Sequence, residues 1–383
     1  MKSRVVILTE IIAPYRIPLF NELARNAEVD LRVIFLAETD PSLRQWDVPK
    51  DEIKFSYQVL PSWRRRIGKY NVLLNRGLAR ALAEARPQVI LCGGYNYAAS
   101  WQAMFWARRK GIPFCLWSES NAQDLRRGTN VVEYLKRRFL KKCNGFAVPG
   151  RSAREYLRLQ DVEDEEIFTA PNAVDNDFFA GAATEARENA EKGRGERNLP
   201  ARYFLFAGRL VEQKGVFELL SAYAKLDATI QQQVGLVFVG DGEAREQLER
   251  QAAANARGEI RFTGFVQRDD LAMFYALAEA LILPTHTDTW GLVVNEAMAC
   301  ALPVIVSTAA GCAVDLLREN WNGLLVPPKD VPALTVALQT IACMPEIRAN
   351  MSANSAEHIR RYSPEEWSAG IVEMMKSVGE KRG

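Results

Sequence analysis

The 383-residue sequence has few of the residues that build metal centres and disulfide frameworks. It contains two histidines and six cysteines, and no two of these cysteines form a C-x-x-C pair. We therefore expect no metal site and no disulfide scaffold, and reduced thiols indicate a cytoplasmic protein. No apolar run approaches the roughly 18 residues of a membrane-spanning helix, and the N-terminal stretch lacks the apolar core of a signal peptide.

Charge is nearly balanced overall, at a formal +2, but it is unevenly distributed. Residues 1–150 contain 25 Lys and Arg against 13 Asp and Glu, whereas the remainder contains 24 against 34. The basic first half predicts contact with an anionic partner, and segments 62–70 and 126–142 carry much of its charge. The second segment is typical of a basic helix lying on the inner face of the cytoplasmic membrane, although solvated helix faces have the same composition. No nucleic-acid partner is predicted, because the basic segments lack interleaved stacking aromatics.

Short β-branched runs alternate with longer amphipathic stretches in both halves of the chain, for example "RVVILTE" early and "YFLFAGRL" later. Fully apolar strands separated by helices predict parallel sheets covered on both faces. We expect an α/β protein with two Rossmann-like, doubly wound domains that face each other across a cleft. The predicted divisions are an N-terminal domain at 1–180, a polar linker at 181–200, a second domain at 201–362 and a helix at 363–383 that packs back on the first domain.

Strand ends of the second domain have the character of an anion site. Gly208 and Arg209 end one predicted strand, and Lys214 precedes the next helix. Two cations and a glycine that admits close backbone approach suit a diphosphate, whereas the alternative is an ordinary surface Arg and Lys. Gly240, in "GDGEAREQ", is interpreted as a tight turn at the same edge, because the third glycine of a dinucleotide fingerprint is missing.

The stretch "HTDTWGLVVNEAMACALP" places two acids around the start of a helix. Asp288 lies in the loop after a buried strand, and Glu296 lies in the second helical turn. The first backbone N–H groups, from Gly291 to Val293 and including Leu292, lack intrahelical partners and form an anion site with the helix dipole. The alternative is a loop or capping role for Asp288 and a surface position for Glu296.

These segments occur in a familiar order. "GRLVEQKG", "GDG", "TGFV" and the D-x7-E run, preceded by "APNAVDNDFF", resemble the retaining family 4 glycosyltransferases, which have the GT-B fold. The resemblance covers most of the chain and is strongest from about 140 to 330. It implies a hexosyltransferase-type enzyme that moves a sugar from a nucleotide sugar to a hydroxyl group and keeps the anomeric configuration.

The resemblance also implies roles for individual residues. Catalytic and diphosphate contacts would come from Arg209, Lys214 and Asp288, the last touching the transferred sugar where the family usually has Glu. The remaining donor-binding residues would be Glu296 on the ribose, Gly208, Gly240, Gly291, Leu292 and Val293 through their backbone, and Phe265 and Val266 beside the base. UDP is favoured over GDP on family frequency alone.

The N-terminal half departs further from the family pattern. Its "IIAPYRIPLF" resembles the P-Y-R-x-P-L-F opening of some polysaccharide-assembly members, which puts Pro14, Tyr15 and Arg16 on the acceptor side. The family's usual His after a middle strand is absent, and "LWSESN" occupies its place. Glu119 or Ser118 is expected to take part of that role, Glu119 as a catalytic residue and Ser118 on the acceptor side. The alternative for Glu119 is an acid near the start of the next helix.

The predicted reaction requires neither a metal nor a cofactor, because Arg209, Lys214 and the helix N-terminus supply the positive potential. The D-x-D match at 175–177 precedes the linker and favours turn chemistry. The acceptor is expected to be a glycan, lipid-linked at the membrane, in polysaccharide biosynthesis. Alternatives are the same reaction with a GDP-mannose-type donor, a nucleotide-sugar epimerase of the same fold, or a glycoside hydrolase that uses Asp288 and Glu296.

Overall fold

The computed structural model describes residues 2–40, 45–67, 70–121 and 130–380. The chain divides into two compact units, one formed by Met1–Asn172 with Pro364–Gly383 and the other by Ala173–Ser363. Among the helices of the described ranges, none is both long enough and apolar enough to cross a membrane.

The first unit alternates strands and helices in the way the apolar runs predict. Its strands are β1 (Ser3–Thr9), β2 (Val29–Phe35), β3 (Ser56–Val59), β4 (Ser62–Ile67), β5 (Tyr70–Asn75), β6 (Val89–Cys92), β7 (Phe114–Trp117), β8 (Gly145–Val148) and β9 (Ile167–Thr169). Its helices before residue 172 are α1 (Ile17–Arg25), α2 (Leu78–Ala85), α3 (Ala98–Lys110), α4 (Asn130–Leu140) and α5 (Arg151–Arg158).

Seven of these strands form one parallel sheet in the order β3-β2-β1-β6-β7-β8-β9. Strands β6, β7 and β8 are buried at every residue because side chains of helices and loops cover both faces of the sheet. The strand order reverses between β1 and β6, which is the topological switch point where ligands of such sheets bind. Strands β4 and β5 stand apart as an antiparallel hairpin, which the sequence did not predict.

The second unit repeats this plan. Its strands are β10 (Tyr203–Ala207), β11 (Gly235–Val239), β12 (Ile260–Gly264), β13 (Ala280–Leu283), β14 (Val304–Ser307) and β15 (Gly323–Val326). Its helices are α6 (Asn176–Glu188), α7 (Ala190–Arg197), α8 (Val216–Ala224), α9 (Ala228–Gln233), α10 (Arg245–Asn255), α11 (Arg268–Leu277), α12 (Leu292–Ala299), α13 (Ala313–Leu316), α14 (Val331–Cys343) and α15 (Pro345–Ile359).

The six strands of the second unit pair in parallel in the order β12-β11-β10-β13-β14-β15. Apolar side chains cover the two faces of this sheet as two separate buried clusters. The order reverses between β10 and β13, so the switch point of this unit lies between the ends of those strands. The prediction of two Rossmann-like, doubly wound sheets is therefore confirmed.

The segment 181–200, predicted as an exposed linker, instead lies mostly within α6 and α7 of the second unit. Phe179 and Ala183 of α6 are buried in the core of that unit. The Arg187 side chain donates hydrogen bonds to the carbonyl oxygens of Ala276 and Cys300, at 3.2 and 2.5 Å. The polar composition of this segment suggested a linker, but a few apolar positions at helical spacing are enough to dock an otherwise charged helix.

The last helix, α16 (Pro364–Glu380), belongs to the first unit. Trp367 is fully buried, with its ring 5.2 Å from that of Trp117 and 5.8 Å from that of Phe20. A Cβ atom on Gly370 would lie 2.0 Å from the carbonyl oxygen of Thr169, so glycine is required for this close approach to β9. The helix thus completes the core of the sheet that the N-terminal residues begin.

Candidate functional site

The switch point of the second unit is built from two glycine loops. Gly208 follows β10 and has φ +148°, and Gly240 follows β11 and has φ +132°. A Cβ atom on Gly240 would lie 1.9 Å from the carbonyl oxygen of Gly208, so these loops can pack only with glycine at 240. Arg209 directly follows Gly208 and is exposed at the end of β10.

Lys214 and Asp288 meet beside these loops. Gly215 has φ +70°, and a Cβ atom there would lie 2.0 Å from the carbonyl oxygen of Pro284. Glycine at 215 therefore allows the loop after β10 to pack closely against the end of β13. The contact brings Lys214 Nζ within 2.5 Å of Asp288 Oδ2 in a partly exposed ion pair. Two predicted site residues that are 74 positions apart in sequence thus come together.

Backbone hydrogen bonds hold the loop that carries Asp288. Gly311 N–H donates to the Asp288 carbonyl at 3.0 Å, and Cys312 N–H donates to the Trp290 carbonyl at 3.1 Å. Trp290 is buried and donates from Nε1 to Asn295 Oδ1 at 2.8 Å, which ties the loop to the first turns of α12. The position of the Asp288 carboxylate is therefore set by the loop backbone as well as by Lys214.

Helix α12 begins immediately after this loop. Gly291 precedes it with φ +100°, a left-handed conformation that glycine adopts without strain. The backbone N–H groups of Leu292 and Val293 lie in the first helical turn and have no intrahelical acceptor. Together with the helix dipole and the Lys214 ammonium, they give this edge of the sheet the properties of an anion-binding site.

Glu296 lies in the next turn of α12 in a different environment. Tyr275 donates its hydroxyl hydrogen bond to Glu296 Oε2 at 2.7 Å. Burial raises the pKa of Glu296 to about 7, although the Tyr275 hydrogen bond and the Arg268 guanidinium act in the opposite direction. The side chain therefore changes charge near neutral pH, and perturbed pKa values of this kind cluster at functional sites.

Phe265 and Val266 follow β12 at the other side of β10. They line a cavity of about 490 Å³ together with Arg197, Asn198, Arg261 and other residues at the start of α11. Phe265 is 40% exposed, so a planar ligand has access to its ring. None of the other predicted donor-binding residues lines this cavity.

In the first unit, Arg16 and Glu119 form an ion pair across the ends of β1 and β7. Arg16 lies in a short 3-10 turn after β1, and its Nη2 is 3.3 Å from Glu119 Oε1. Its Nη1 donates to Thr9 Oγ1 at 3.2 Å, and the guanidinium carbon lies 4.3 Å from the Trp117 ring centre. Burial lowers the pKa of Arg16, but nearby Glu119, Tyr15 and Glu10 outweigh it and leave the pKa above its usual range.

The other predicted acceptor-side residues surround this pair. Tyr15 is half-buried, and its ring meets that of Trp46 edge to face at 5.9 Å. Pro14 is buried in the same 3-10 turn and shapes the loop without presenting a polar group. Ser118 is also buried, its N–H donates to the Ala147 carbonyl at 2.9 Å, and its Oγ has no hydrogen-bond partner in the described part of the chain.

The sequence interpretation missed several charged groups at these two edges. Glu10 directly follows β1 at the switch point, a position that could have been predicted from the strand alone. Arg64 reaches it from hairpin β4–β5, with Nη2 3.3 Å from Glu10 Oε1. Arg268 and Tyr275, on α11, both act to lower the pKa of Glu296. Neither residue belongs to a recognisable sequence motif. Pairings of this kind depend on tertiary packing between distant segments.

Helix α4 provides the described part of the predicted basic segment, whose residues 126–129 lie outside the described residues. Phe139 of α4 is buried in the core, and Lys136 is nearly buried beside Glu133 at 2.5 Å. Large apolar side chains are nevertheless exposed on this helix, at Val132, Tyr134 and Leu135. Its last turn carries Arg137 and Arg138, so the surface combines apolar and cationic groups.

The D-x-D match at 175–177 has a structural role at its first residue. Asp175 caps α6 by accepting the Phe178 N–H at 3.0 Å. Within the ranges that the structure describes, no group of three or more His, Cys, Asp and Glu side chains is arranged to hold a metal ion.

Comparison with known families matches two adjacent parts of the chain. The family model "Glycosyltransferase Family 4" matches residues 19–178, and the model "Glycosyl transferases group 1" matches residues 188–358. The first matched region corresponds to most of the first unit, and the second covers the switch-point residues of the second unit.

Among related proteins, the chain is 26% identical over 295 residues to alpha-D-kanosaminyltransferase of Streptomyces kanamyceticus, covering 74% of this chain and 75% of that one. It is 30% identical over 223 residues to D-inositol 3-phosphate glycosyltransferase of Saccharomonospora viridis, where the match spans 55% of this chain and only 50% of the relative. Among solved structures, Anabaena Alr3699/HepE in complex with UDP and glucose superposes with a TM-score of 0.76 at 16% identity, covering 98% of this chain and 100% of that one.

Proposed function

The chain belongs to the family 4 glycosyltransferases of GT-B fold, and from that premise we propose that it transfers a sugar, with retention, from a nucleotide sugar to a hydroxyl group of a glycan acceptor. The observation that carries the proposal is the Lys214–Asp288 pair beside the N-terminus of α12. This edge offers a cation and open backbone N–H groups to a diphosphate and a carboxylate to sugar hydroxyls.

The donor diphosphate is held by Arg209, Lys214 and the N–H groups of Leu292 and Val293. Glu296 accepts hydrogen bonds from the ribose hydroxyls, and Phe265 with Val266 borders the base at the cavity after β12. We favour UDP as the leaving group. A structural neighbour was crystallised with UDP, and uracil is a small planar base that suits a partly exposed aromatic edge.

Catalysis in this proposal is electrostatic and needs neither a metal nor a cofactor. The leaving diphosphate gains negative charge as the glycosidic bond breaks, and Lys214, Arg209 and the dipole of α12 stabilise that charge. The acceptor hydroxyl attacks from the same face, and the departing phosphate accepts its proton, so no protein nucleophile is required. Asp288 orients the transferred sugar, and as an Asp its carboxylate extends one methylene less than the family's usual Glu.

The acceptor is bound by the first unit, at the Arg16–Glu119 pair. We propose that it is lipid-linked and that the exposed apolar and cationic side chains of α4 lie on an anionic membrane surface during polysaccharide biosynthesis. Support comes from Val132, Tyr134 and Leu135, which are between 43% and 61% exposed, on a helix that also carries Arg137 and Arg138. The enzyme then works as a peripheral protein at the cytoplasmic face.

Thermal unfolding with UDP, GDP, ADP and CMP tests the donor site. A nucleotide at about 100-fold over its Kd stabilises the protein by about 2.7 kcal/mol. We expect this with UDP, and we expect it to vanish in Glu296→Ala and Arg209→Ala. Glu246→Ala is the matched control, because Glu246 is 84% exposed on α10 and pairs with Arg250 in the next turn of the same helix. A GDP-specific shift would reassign the donor, and no shift with any nucleotide would contradict the proposal.

Turnover separates the remaining alternatives. Incubation of the UDP-sugar without acceptor should leave it unchanged, whereas an epimerase would convert it. A plain glycoside without nucleotide should also remain intact, whereas a hydrolase would cleave it. With acceptor present, the anomeric proton signal of the product measures whether configuration is retained.

A further inference from the structure

A chain of alternating charges crosses the carboxyl ends of β1 and β7 in the first unit. Arg64 contacts Asp40 through Nη1, and its Nη2 lies 3.3 Å from Glu10 Oε1. The negative charge of Glu10 also interacts electrostatically with Arg16. Arg16 Nη2 lies 3.3 Å from Glu119 Oε1. We call these five residues the charge chain. Three carboxylates against two guanidinium groups give it a net charge of −1.

The cations of the charge chain are already engaged. Each guanidinium contacts a carboxylate, and Arg16 is also stacked on Trp117 and bonded to Thr9. Lys214 of the second unit is also paired, but it lies at an edge with the exposed Arg209 and the first N–H groups of α12. Arg16 and Arg64 instead face three carboxylates, so a phosphate at the charge chain has to compete with these acids. The site is therefore poorly suited to an anionic group, although the domain as a whole is basic.

Two of the three carboxylates of the charge chain are more accessible than its cations, whereas the third, Asp40, is buried. The side chains of Glu10 and Glu119 are 33% and 31% exposed, whereas those of Arg64 and Arg16 are 20% and 16% exposed. A carboxylate oxygen that remains open accepts hydrogen bonds and donates none, so it selects a ligand with hydroxyl groups. Charge-assisted bonds of this type are roughly twice as strong as neutral ones.

Two neighbouring features fit the same ligand. The half-buried Tyr15 and the ring of Trp46 supply an amphipathic aromatic edge next to Arg16, of the kind that packs against the apolar face of a sugar ring. Ser118, directly before Glu119, has a buried hydroxyl with no partner among the described residues. Buried polar atoms are usually hydrogen-bonded. A bound ligand or a water molecule is therefore expected to supply the partner of this hydroxyl.

We infer that the charge chain is the subsite for the terminal sugar of the acceptor and that this sugar is neutral, bound through its hydroxyl groups by Glu119 and Glu10. Arg16 acts as a positioning residue that orients Glu119. Any phosphate or lipid of the acceptor is held elsewhere on the basic surface. The inference rests on the proposed function and specifies the class of acceptor for the same enzyme.

Saturation-transfer NMR on the full chain tests this subsite with defined probes. The probes are methyl α-glycosides of glucose, galactose and mannose, with glucose 1-phosphate and inorganic phosphate as anionic counterparts. We expect transfer to at least one neutral glycoside and no competition by phosphate. Glu119→Gln should weaken that glycoside about tenfold, the effect of losing a hydrogen bond to a charged group. Glu84→Gln, which breaks an exposed ion pair of the same unit, should leave binding unchanged.

Two further variants sharpen the test. Glu10→Gln combined with Glu119→Gln changes the net charge of the charge chain from −1 to +1, and it should add a phosphate site to any that the donor edge of the second unit already provides. Arg16→Lys keeps the charge but loses the planar contact with Glu119, so it should raise the KM for acceptor with little effect on the KM for donor. If this additional phosphate site does not appear in the double variant, neutralisation by these carboxylates is not what excludes anions, and the inference fails.

The outcomes also separate this inference from the proposed function. UDP stabilisation without any glycoside signal would overturn the neutral-sugar subsite and leave the donor site intact. Tighter binding of glucose 1-phosphate than of the neutral glycosides, lost in Arg16→Lys, would likewise overturn it. Glycoside binding that depends on Glu119 without any nucleotide effect would keep the subsite and contradict the transferase.

Discussion

Replacing Glu296 by Gln should change how the stability of the protein depends on pH. The carboxyl has a pKa of about 7 in the folded protein, raised from the ordinary 4.5 mainly by burial. A raised folded pKa means that the folded state binds the proton more tightly than the unfolded chain does. The corresponding stabilisation is complete below pH 4.5 and is lost as the pH rises through 7. Glutamine, which does not titrate, has no such loss.

The size of the effect follows from the shift. A difference of one pKa unit corresponds to about 1.4 kcal/mol, and because Glu296 is only partly buried, we expect about 2–3 kcal/mol between pH 4.5 and pH 8. The Tyr275 hydrogen bond lowers the pKa and so limits the loss. Tyr275→Phe should therefore move the titration midpoint above that of the native protein.

Urea unfolding at several pH values measures the difference directly. The native protein and Glu296→Gln share the same first unit, so their difference in free energy of unfolding reports the second unit. As the pH rises from 5 to 8, we expect the free energy of unfolding of the variant to increase relative to that of the native protein. Nucleotide affinity should rise roughly tenfold between pH 6 and pH 8, because in the proposed donor site the ribose hydroxyls bond to the ionised Glu296 carboxylate. Equal pH dependence in both proteins would refute the assignment of this titration to Glu296.

Three further single substitutions and one double variant test the packing of the two units and the charges at the donor edge. Gly240→Ala should lower the free energy of unfolding by about 2 kcal/mol or more, measured by urea unfolding, because its Cβ would lie 1.9 Å from the Gly208 carbonyl oxygen. Lys214→Met should abolish UDP stabilisation in thermal unfolding and destabilise by about 1–2 kcal/mol, and adding Asp288→Asn should recover stability but not binding. Trp367→Ala should cost about 3–5 kcal/mol in urea unfolding, because its ring is fully buried, and an unchanged midpoint would contradict docking of α16 on the first sheet.

The architecture was readable from the sequence because buried parallel strands have a strong local signal. Runs such as "YFLFA" become strands buried at every residue, and their repetition gives two sheets. Hairpin β4–β5 was not readable, since its arginines obscure the alternation that a half-buried strand shows. The helices at 176–197 were not readable either, because their docking depends on α11 and α12, which lie far along the chain.

The site was readable only in part, and the division has a physical basis. Glycines at strand ends and acids beside a helix start are local patterns, so Gly208, Gly240 and Asp288 could be named from the sequence. The charge chain is assembled from segments that are tens of residues apart, and only folding brings Arg64 to Glu10 or Arg16 to Glu119. The pKa of Glu296 likewise depends on its neighbours on α11, which no spacing rule reveals.

The two acids that flank the start of α12 have different environments, and the difference argues against a hydrolase. A glycosidase needs one carboxyl that donates a proton to the leaving group and a second that acts as base or nucleophile. Asp288 lies 2.5 Å from the Lys214 ammonium, so this carboxylate is engaged in an ion pair. Glu296, with its pKa of about 7, has the value of a general acid, but it faces the Tyr275 hydroxyl and the Arg268 side of α11. A departing diphosphate needs no proton at all, so a cation at Lys214 and an acceptor for ribose hydroxyls at Glu296 match a transferase better than they match paired acids.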